Sequence, residues 1–175
     1  MIAVTVDCVP SLELARAIAA TVTDPEMPML TLADLGVLRD VRIDSAGTLV
    51  VAITPTYSGC PAMATMRDDL RMRLIAAGFD SVEVRIVLSP AWSTDWISDD
   101  GLRKLTEHGI SPPTGVAVQR QGPVPLTLTV PRRVIHCPQC GSTNTERISE
   151  FGGTSCRSLH RCCDCREPFD HMKEI

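Results

Sequence analysis

Thr48-Leu49-Val50-Val51-Ala52-Ile53-Thr54-Pro55-Thr56-Tyr57-Ser58-Gly59-Cys60-Pro61 changes character within one short stretch of chain. Residues 48–53 are an apolar, β-branched run, which predicts a strand. Pro55 and Gly59 then interrupt any regular pattern. Pro61 suits the first turn of a helix, where its missing N–H needs no partner. Downstream, Met63, Met66, Leu70, Leu74 and Ala77 keep helical spacing until Gly78 supplies a stop. Val82, Val84, Ile86 and Leu88 alternate as a further strand. Strand, helix and strand in that order predict a parallel pair joined by a right-handed crossover.

Upstream, residues 37–43 and 48–53 flank Asp44-Ser45-Ala46-Gly47, which reads as a hairpin turn. Ser11 can cap a helix whose apolar face is Leu14, Ala15, Ile18, Ala19 and Val22. Between helix and hairpin lie the loop Asp24-Pro25-Glu26-Met27-Pro28 and a short helical turn, Leu32 to Leu35, closing at Gly36. A last helix begins at Ser98 and ends near Gly109, with Asp99 and Asp100 at its positive end. The order is helix, two strands, helix, strand, helix: an α/β (α+β) sandwich of αββαβα order.

The chain has 175 residues, enough for one ordinary domain and a small module. Composition divides it at 1–109, 110–132 and 133–175. The middle stretch holds five of the 13 prolines and reads as a linker or arm. The last holds six of the eight cysteines and three of the four histidines. A net charge of −4 disfavours nucleic acid, whose binding draws on Lys and Arg meeting phosphates. No apolar run approaches the roughly 18–20 residues that span a bilayer, so no membrane partner is expected. Met1 to Val9 carries Asp7 and no Lys or Arg, unlike a secretory signal. A reducing cytoplasm is the expected location, and there closely spaced cysteines bind metal or do chemistry rather than form disulfides.

Cys137-Pro138-Gln139-Cys140-Gly141 is one CxxC knuckle, and Cys162-Cys163-Asp164-Cys165 supplies a second. Each knuckle turns two thiolates toward one point, and a hairpin between them closes a tetrahedron. Cys137, Cys140, Cys162 and Cys165 are therefore the expected ligands of one structural zinc in a C-terminal zinc-ribbon β module. A redox or cluster site built from the same thiolates is the rival. Strands are expected near 134–136, 145–149, 158–161 and 169–173. Cys156 and Cys163 read as surplus, and His136 and His160 lie near a set that is already complete.

Gly59-Cys60-Pro61 places a cysteine where loop becomes helix. The helix end favours a thiolate, suiting a nucleophile or soft-metal ligand, although a buried small hydrophobe has the same spacing. Asp24 and Glu26 could ligate metal or act as bases, or simply be solvated. Trp92-Ser93-Thr94-Asp95-Trp96 is either an interface anchor or a lid on the core. His108 reads as a helix-end residue, so Cys60 has no evident catalytic base.

Asp24-Pro25-Glu26-Met27-Pro28, Asp34-Leu35-Gly36 and Thr54 through Pro61 together resemble the iron–sulfur assembly domain of SufT-type maturation factors. Residues 89–98, Glu150 through Cys156, and Arg166-Glu167-Pro168-Phe169-Asp170 resemble the PaaD family, the D subunits of phenylacetyl-CoA 1,2-epoxidase systems. The resemblance implies a non-catalytic accessory subunit of aerobic phenylacetate catabolism. Such a subunit assists cluster assembly or insertion, with the iron–sulfur reductase component as its client. It implies transient iron or cluster handling by Cys60, Asp24, Glu26, Thr54 and Thr56. Read as an interface anchor, the loop offers Trp92, Asp95 and Trp96 for docking to epoxidase components, and a homodimer stays open. Tyr57 stands where relatives carry a second successive threonine. A scaffolding subunit of the oxygenase complex is the alternative.

Overall fold

The computed structural model describes residues 10–114 and 134–175. Most of the expected 110–132 arm, and Cys8, lie outside them. Two compact units result, the first ending at Ala91 and the second beginning at Trp92.

In the first unit, Ser11 caps α1 (Leu12–Ala20), its hydroxyl oxygen accepting from the Leu14 N–H at 3.1 Å. Ala15 and Ala19 are buried, while Leu14 is 44% exposed, so the buried stripe is narrower than the apolar pattern. β1 (Leu38–Ile43) and β2 (Leu49–Ile53) pair antiparallel across the expected turn. One oxygen of Asp44 accepts from the N–H groups of Ala46 and Thr48, both at 2.9 Å, which fixes that turn. All of β2 is buried, as its unbroken apolar run requires. After α2 (Ala62–Ala76), β3 (Val82–Ile86) lies parallel to β2, pairing Leu49 with Val82 and Ile53 with Ile86. The sheet order β1-β2-β3 makes β2 central. Met63, Met66, Leu70 and Leu74 bury one face of α2.

The second unit opens with a tight turn, Thr94–Trp96, followed by α3 (Asp99–Glu107), capped by Ser98. The two residues of β4 (Ile110–Ser111) follow. β5 (Thr145–Ser149), β6 (Arg157–Cys162) and β7 (Pro168–Met172) complete a sheet of order β4-β7-β6-β5. Residues 134–136, expected as a strand, form none. β4 runs parallel to β7, pairing Ile110 with Asp170 and Ser111 with His171. The αββαβα order is therefore realised along the chain, with its last helix in the compact unit that holds the ribbon. The composition boundary at 109 falls inside that unit, because β4 is hydrogen-bonded to the final strand.

Candidate functional site

Two sets of residues carry chemistry. The first is built by the knuckles. The Gly141 N–H donates to the Cys137 carbonyl at 2.9 Å, and Gly141 adopts φ +74. The second knuckle repeats this left-handed step immediately after Cys165, where Arg166 has φ 67. Glycine adopts that conformation freely, whereas an L side chain is strained in it by roughly 1–2 kcal/mol. Arg166→Gly should therefore stabilise the zinc-loaded second unit by about 0.5 kcal/mol once the looser unfolded chain is counted. Gly141→Ala meets no atom within 4 Å, so it should destabilise by about 1 kcal/mol through conformation alone. Urea midpoints of the two variants, moving in opposite directions, would check both signs.

The Sγ atoms of Cys137, Cys140, Cys162 and Cys165 all lie within 4.8 Å of one another. Cys137 and Cys165 sulfurs are 3.7 Å apart, and those of Cys140 and Cys162 are 3.6 Å apart. Four zinc–sulfur bonds of ~2.3 Å at tetrahedral angles give edges of about 3.8 Å. The donor set therefore fits zinc in both chemistry and spacing, and no other set of three or more potential ligands gathers among the described residues. Zinc there would act as a structural crosslink between the knuckles.

Proton competition supports the same reading. The Cys165 N–H points at the Cys162 sulfur from 3.5 Å, and such backbone donors draw that thiol down to about 7. At Cys165 the Glu167 N–H favours the thiolate, but desolvation and the neighbouring sulfurs win and push the thiol up to about 12. At Cys140 the Ser142 N–H likewise favours the thiolate, yet the bond with Cys162 and desolvation leave the thiol raised. Four crowded thiols cannot all ionise without a cation. Zinc loading at neutral pH should release at least two protons, from Cys140 and Cys165, and affinity should rise with pH. Calorimetry in buffers of different ionisation enthalpy counts those protons.

The surplus residues stay outside the set. Cys156 is buried, with the Thr154 hydroxyl 3.0 Å from its sulfur, and Cys163 is exposed. His136 Nδ1 contacts the Gly141 carbonyl at 3.4 Å. His160 is buried against Phe169, with ring centroids 5.7 Å apart, and Ser158 Oγ lies 3.0 Å from its Nε2. Spacing alone did not flag Asp164, which ties the two knuckles together. Ser142 Oγ donates to its Oδ2, and Asn144 Nδ2 donates to its Oδ1 at 2.7 Å. The sign of it in the sequence is an acidic residue inside the second knuckle facing two polar residues just after the first.

The second set surrounds the loop after β2. Gly59, at φ +88, leads into Cys60, whose N–H donates to the Tyr57 carbonyl at 3.3 Å. Pro61 occupies the N-cap of α2 without any side-chain cap, and no acidic residue sits in the first helical turn. Cys60 is thus half-buried just ahead of a helix end that favours negative charge. Asp24 is 5% exposed, and its Oδ1 accepts from the N–H groups of Glu26 at 2.7 Å and Met27 at 3.2 Å. That bonding shapes the two-proline loop, leaving Glu26 half-buried beside it. Thr54 and Thr56 are buried, and Thr54 Oγ1 has no hydrogen-bond partner among the described residues.

Backbone bonds place this loop at the same end of the sheet as Thr54. The Leu32 N–H donates to Val22, the Val37 N–H to Leu32, and the Thr54 N–H to Val37. Asp24, Glu26 and Cys60 do not form a trio of converged ligands here. Of the expected docking residues, Asp95 is exposed and Trp96 half-buried. Trp92 is only 4% exposed, so little of its ring is open to solvent. An open pocket of about 310 Å³ lies beside this turn, lined by Thr94, Asp95, Ile97, Asp99, Leu102 and others.

An α/β unit with a cysteine loop after its central strand, followed by a four-cysteine ribbon, defines a two-part class: a small α/β domain joined to a metal-binding ribbon module. Residues 15–86 match the iron–sulfur cluster assembly protein family, and residues 121–173 match the PaaD zinc beta ribbon domain. The chain is 42% identical over 166 residues to an Escherichia coli protein described as the D subunit of a 1,2-phenylacetyl-CoA epoxidase, covering 95% of this chain and 94% of that one. The chain belongs to that D-subunit family. A Porphyromonas gingivalis Fe–S protein maturation auxiliary factor is 31% identical over 86 residues, covering 49% of this chain and 81% of its own. A Bacillus anthracis domain of unknown function, solved as a crystal structure, is 27% identical with a TM-score of 0.47, covering 53% of this chain and 88% of its own.

Proposed function

We propose that this protein is a non-catalytic accessory subunit of a phenylacetyl-CoA 1,2-epoxidase system in aerobic phenylacetate breakdown. It assists assembly or insertion of an iron–sulfur cluster in the reductase component. The observation that carries the reading is the likeness to the D subunit over nearly the whole chain, assembly domain and ribbon together. Iron or a cluster is then cargo. Cys60 offers it one soft ligand, with Asp24 and Glu26 as hard ones, and such a mixed set releases iron more readily than a four-cysteine cage. The hydroxyl of Thr54, unpartnered among the described residues, and Thr56 just beyond it offer hydrogen-bonding capacity at the loop. The ribbon zinc holds the docking surface, with Asp95 and Trp96 as contacts.

A scaffolding subunit is the second reading, favoured because Asp24, Glu26 and Cys60 form no converged three-ligand group among the described residues. The two part in cells lacking this chain. Assistance leaves an intact oxygenase complex beside a cluster-poor reductase, whereas scaffolding leaves a cluster-replete reductase and a complex that falls apart. Cluster-replete reductase in deleted cells would sink the first reading.

A further inference from the structure

We propose that Asp164 is a positioning residue for the ribbon metal, latching the two knuckles together and holding Cys163 out of the ligand set. Each of its carboxylate oxygens takes one donor from beyond the first knuckle, Oδ2 from Ser142 Oγ and Oδ1 from Asn144 Nδ2 at 2.7 Å. Those two donors are locked to each other, since the Asn144 N–H donates to Ser142 Oγ at 3.0 Å. They are also locked to the knuckles themselves. The Ser142 carbonyl accepts from the Cys137 N–H at 2.9 Å, and the Asn144 carbonyl accepts from the Cys163 N–H at 2.8 Å.

None of Ser142, Asn144 and Asp164 belongs to the sulfur cluster, yet together they bridge Cys137 on one side to Cys163 on the other. The consequence concerns choice of ligand. The second knuckle offers three thiols, Cys162, Cys163 and Cys165, and only Cys162 and Cys165 reach the cluster. With its backbone N–H pinned to Asn144 and the next side chain pinned by two donors, Cys163 keeps its sulfur exposed. A slip of the knuckle that exchanged Cys163 for Cys162 would break three of these bonds. Outer partners that orient ligands in this way are commonly worth about 10–100-fold in metal affinity.

Asp164→Ala in the full zinc-loaded chain should raise the zinc dissociation rate about 10–100-fold, read by transfer to a chromogenic chelator. Iodoacetamide followed by peptide mapping gives a second readout. In the unaltered protein Cys163 is modified while Cys137, Cys140, Cys162 and Cys165 are spared, and in Asp164→Ala alkylation spreads to Cys162. Asp164→Asn separates geometry from charge, because its amide can accept from Asn144 and donate to Ser142, so it should stay close to the unaltered protein in both readouts. Ser142→Ala removes one arm and should give an intermediate rate, a measurement that stands even if Asp164→Ala does not fold. An unchanged rate and alkylation map in Asp164→Ala, or in Ser142→Ala where the former does not fold, overturns the proposal. So does an Asp164→Asn protein that behaves like Asp164→Ala, since the carboxylate would then act by charge.

Discussion

Cys60→Ser should leave zinc content and thermal stability unchanged while cluster content of the reductase component falls at least about tenfold in cells carrying only this variant. The serine is nearly isosteric, and Cys60 is half-buried at a loop, not inside the core of Val22, Leu30, Leu70 and Leu74, so its substitution belongs with near-neutral surface changes. Its effect must come through chemistry. A hydroxyl stays protonated at neutral pH and binds iron poorly, while a thiolate at a helix end is both a good soft ligand and a reversible one. The measurement is iron and acid-labile sulfide per reductase after anaerobic purification, alongside zinc per chain of the variant itself. Reductase fully loaded in the Cys60→Ser cells would remove Cys60 from the mechanism. If deletion of the whole chain still emptied the reductase, the accessory role would survive without that residue.

Elements specified by local rules were legible in the sequence. Ser11 and Ser98 each cap a helix, with the Leu14 and Gly101 N–H groups donating to them. Asp44 closes the hairpin, and the unbroken apolar run of β2 becomes the strand buried along its whole length. The gathering of the four cysteines was legible because CxxC geometry is set within each knuckle and needs little from the rest of the chain. What depends on distant pairing was not. β4 is two residues long and has no periodicity to read, yet it pairs with β7 some sixty residues later and so moves α3 into the ribbon's unit. Trp92 and Trp96 look alike in sequence, and only packing makes the first a core residue. Asp164 has the composition of an ordinary solvated turn, and its role depends on where Ser142 and Asn144 arrive from the other knuckle. At the Cys60 loop, residue types were legible, but convergence on a metal depends on tertiary distances that the described structure does not bring together.

The ribbon's own hydrophobic cluster explains why losing one ligand should be the most damaging change in the molecule. It consists of Cys137, Cys162 and Phe169, with Ile135 packed alongside, so two of its members belong to the four-cysteine set. Burying Phe169 contributes about 1.5–3 kcal/mol. Ordering each residue of backbone costs about 1–2 kcal/mol, so the segment needs another source of stability. Zinc supplies on the order of 10–16 kcal/mol in such modules. Cys137→Ser should therefore lower zinc affinity by about a thousandfold or more and collapse the amide dispersion of residues 135–170. Resonances of the first unit should hold, because that unit buries its own side chains on β2 and α2. A strong chelator applied to the unaltered protein should reproduce the same selective loss, and zinc should reverse it. Should Cys137→Ser keep one zinc per chain and a dispersed ribbon spectrum, the ligand set would have to be redrawn, with Cys156 or His136 in place of Cys137.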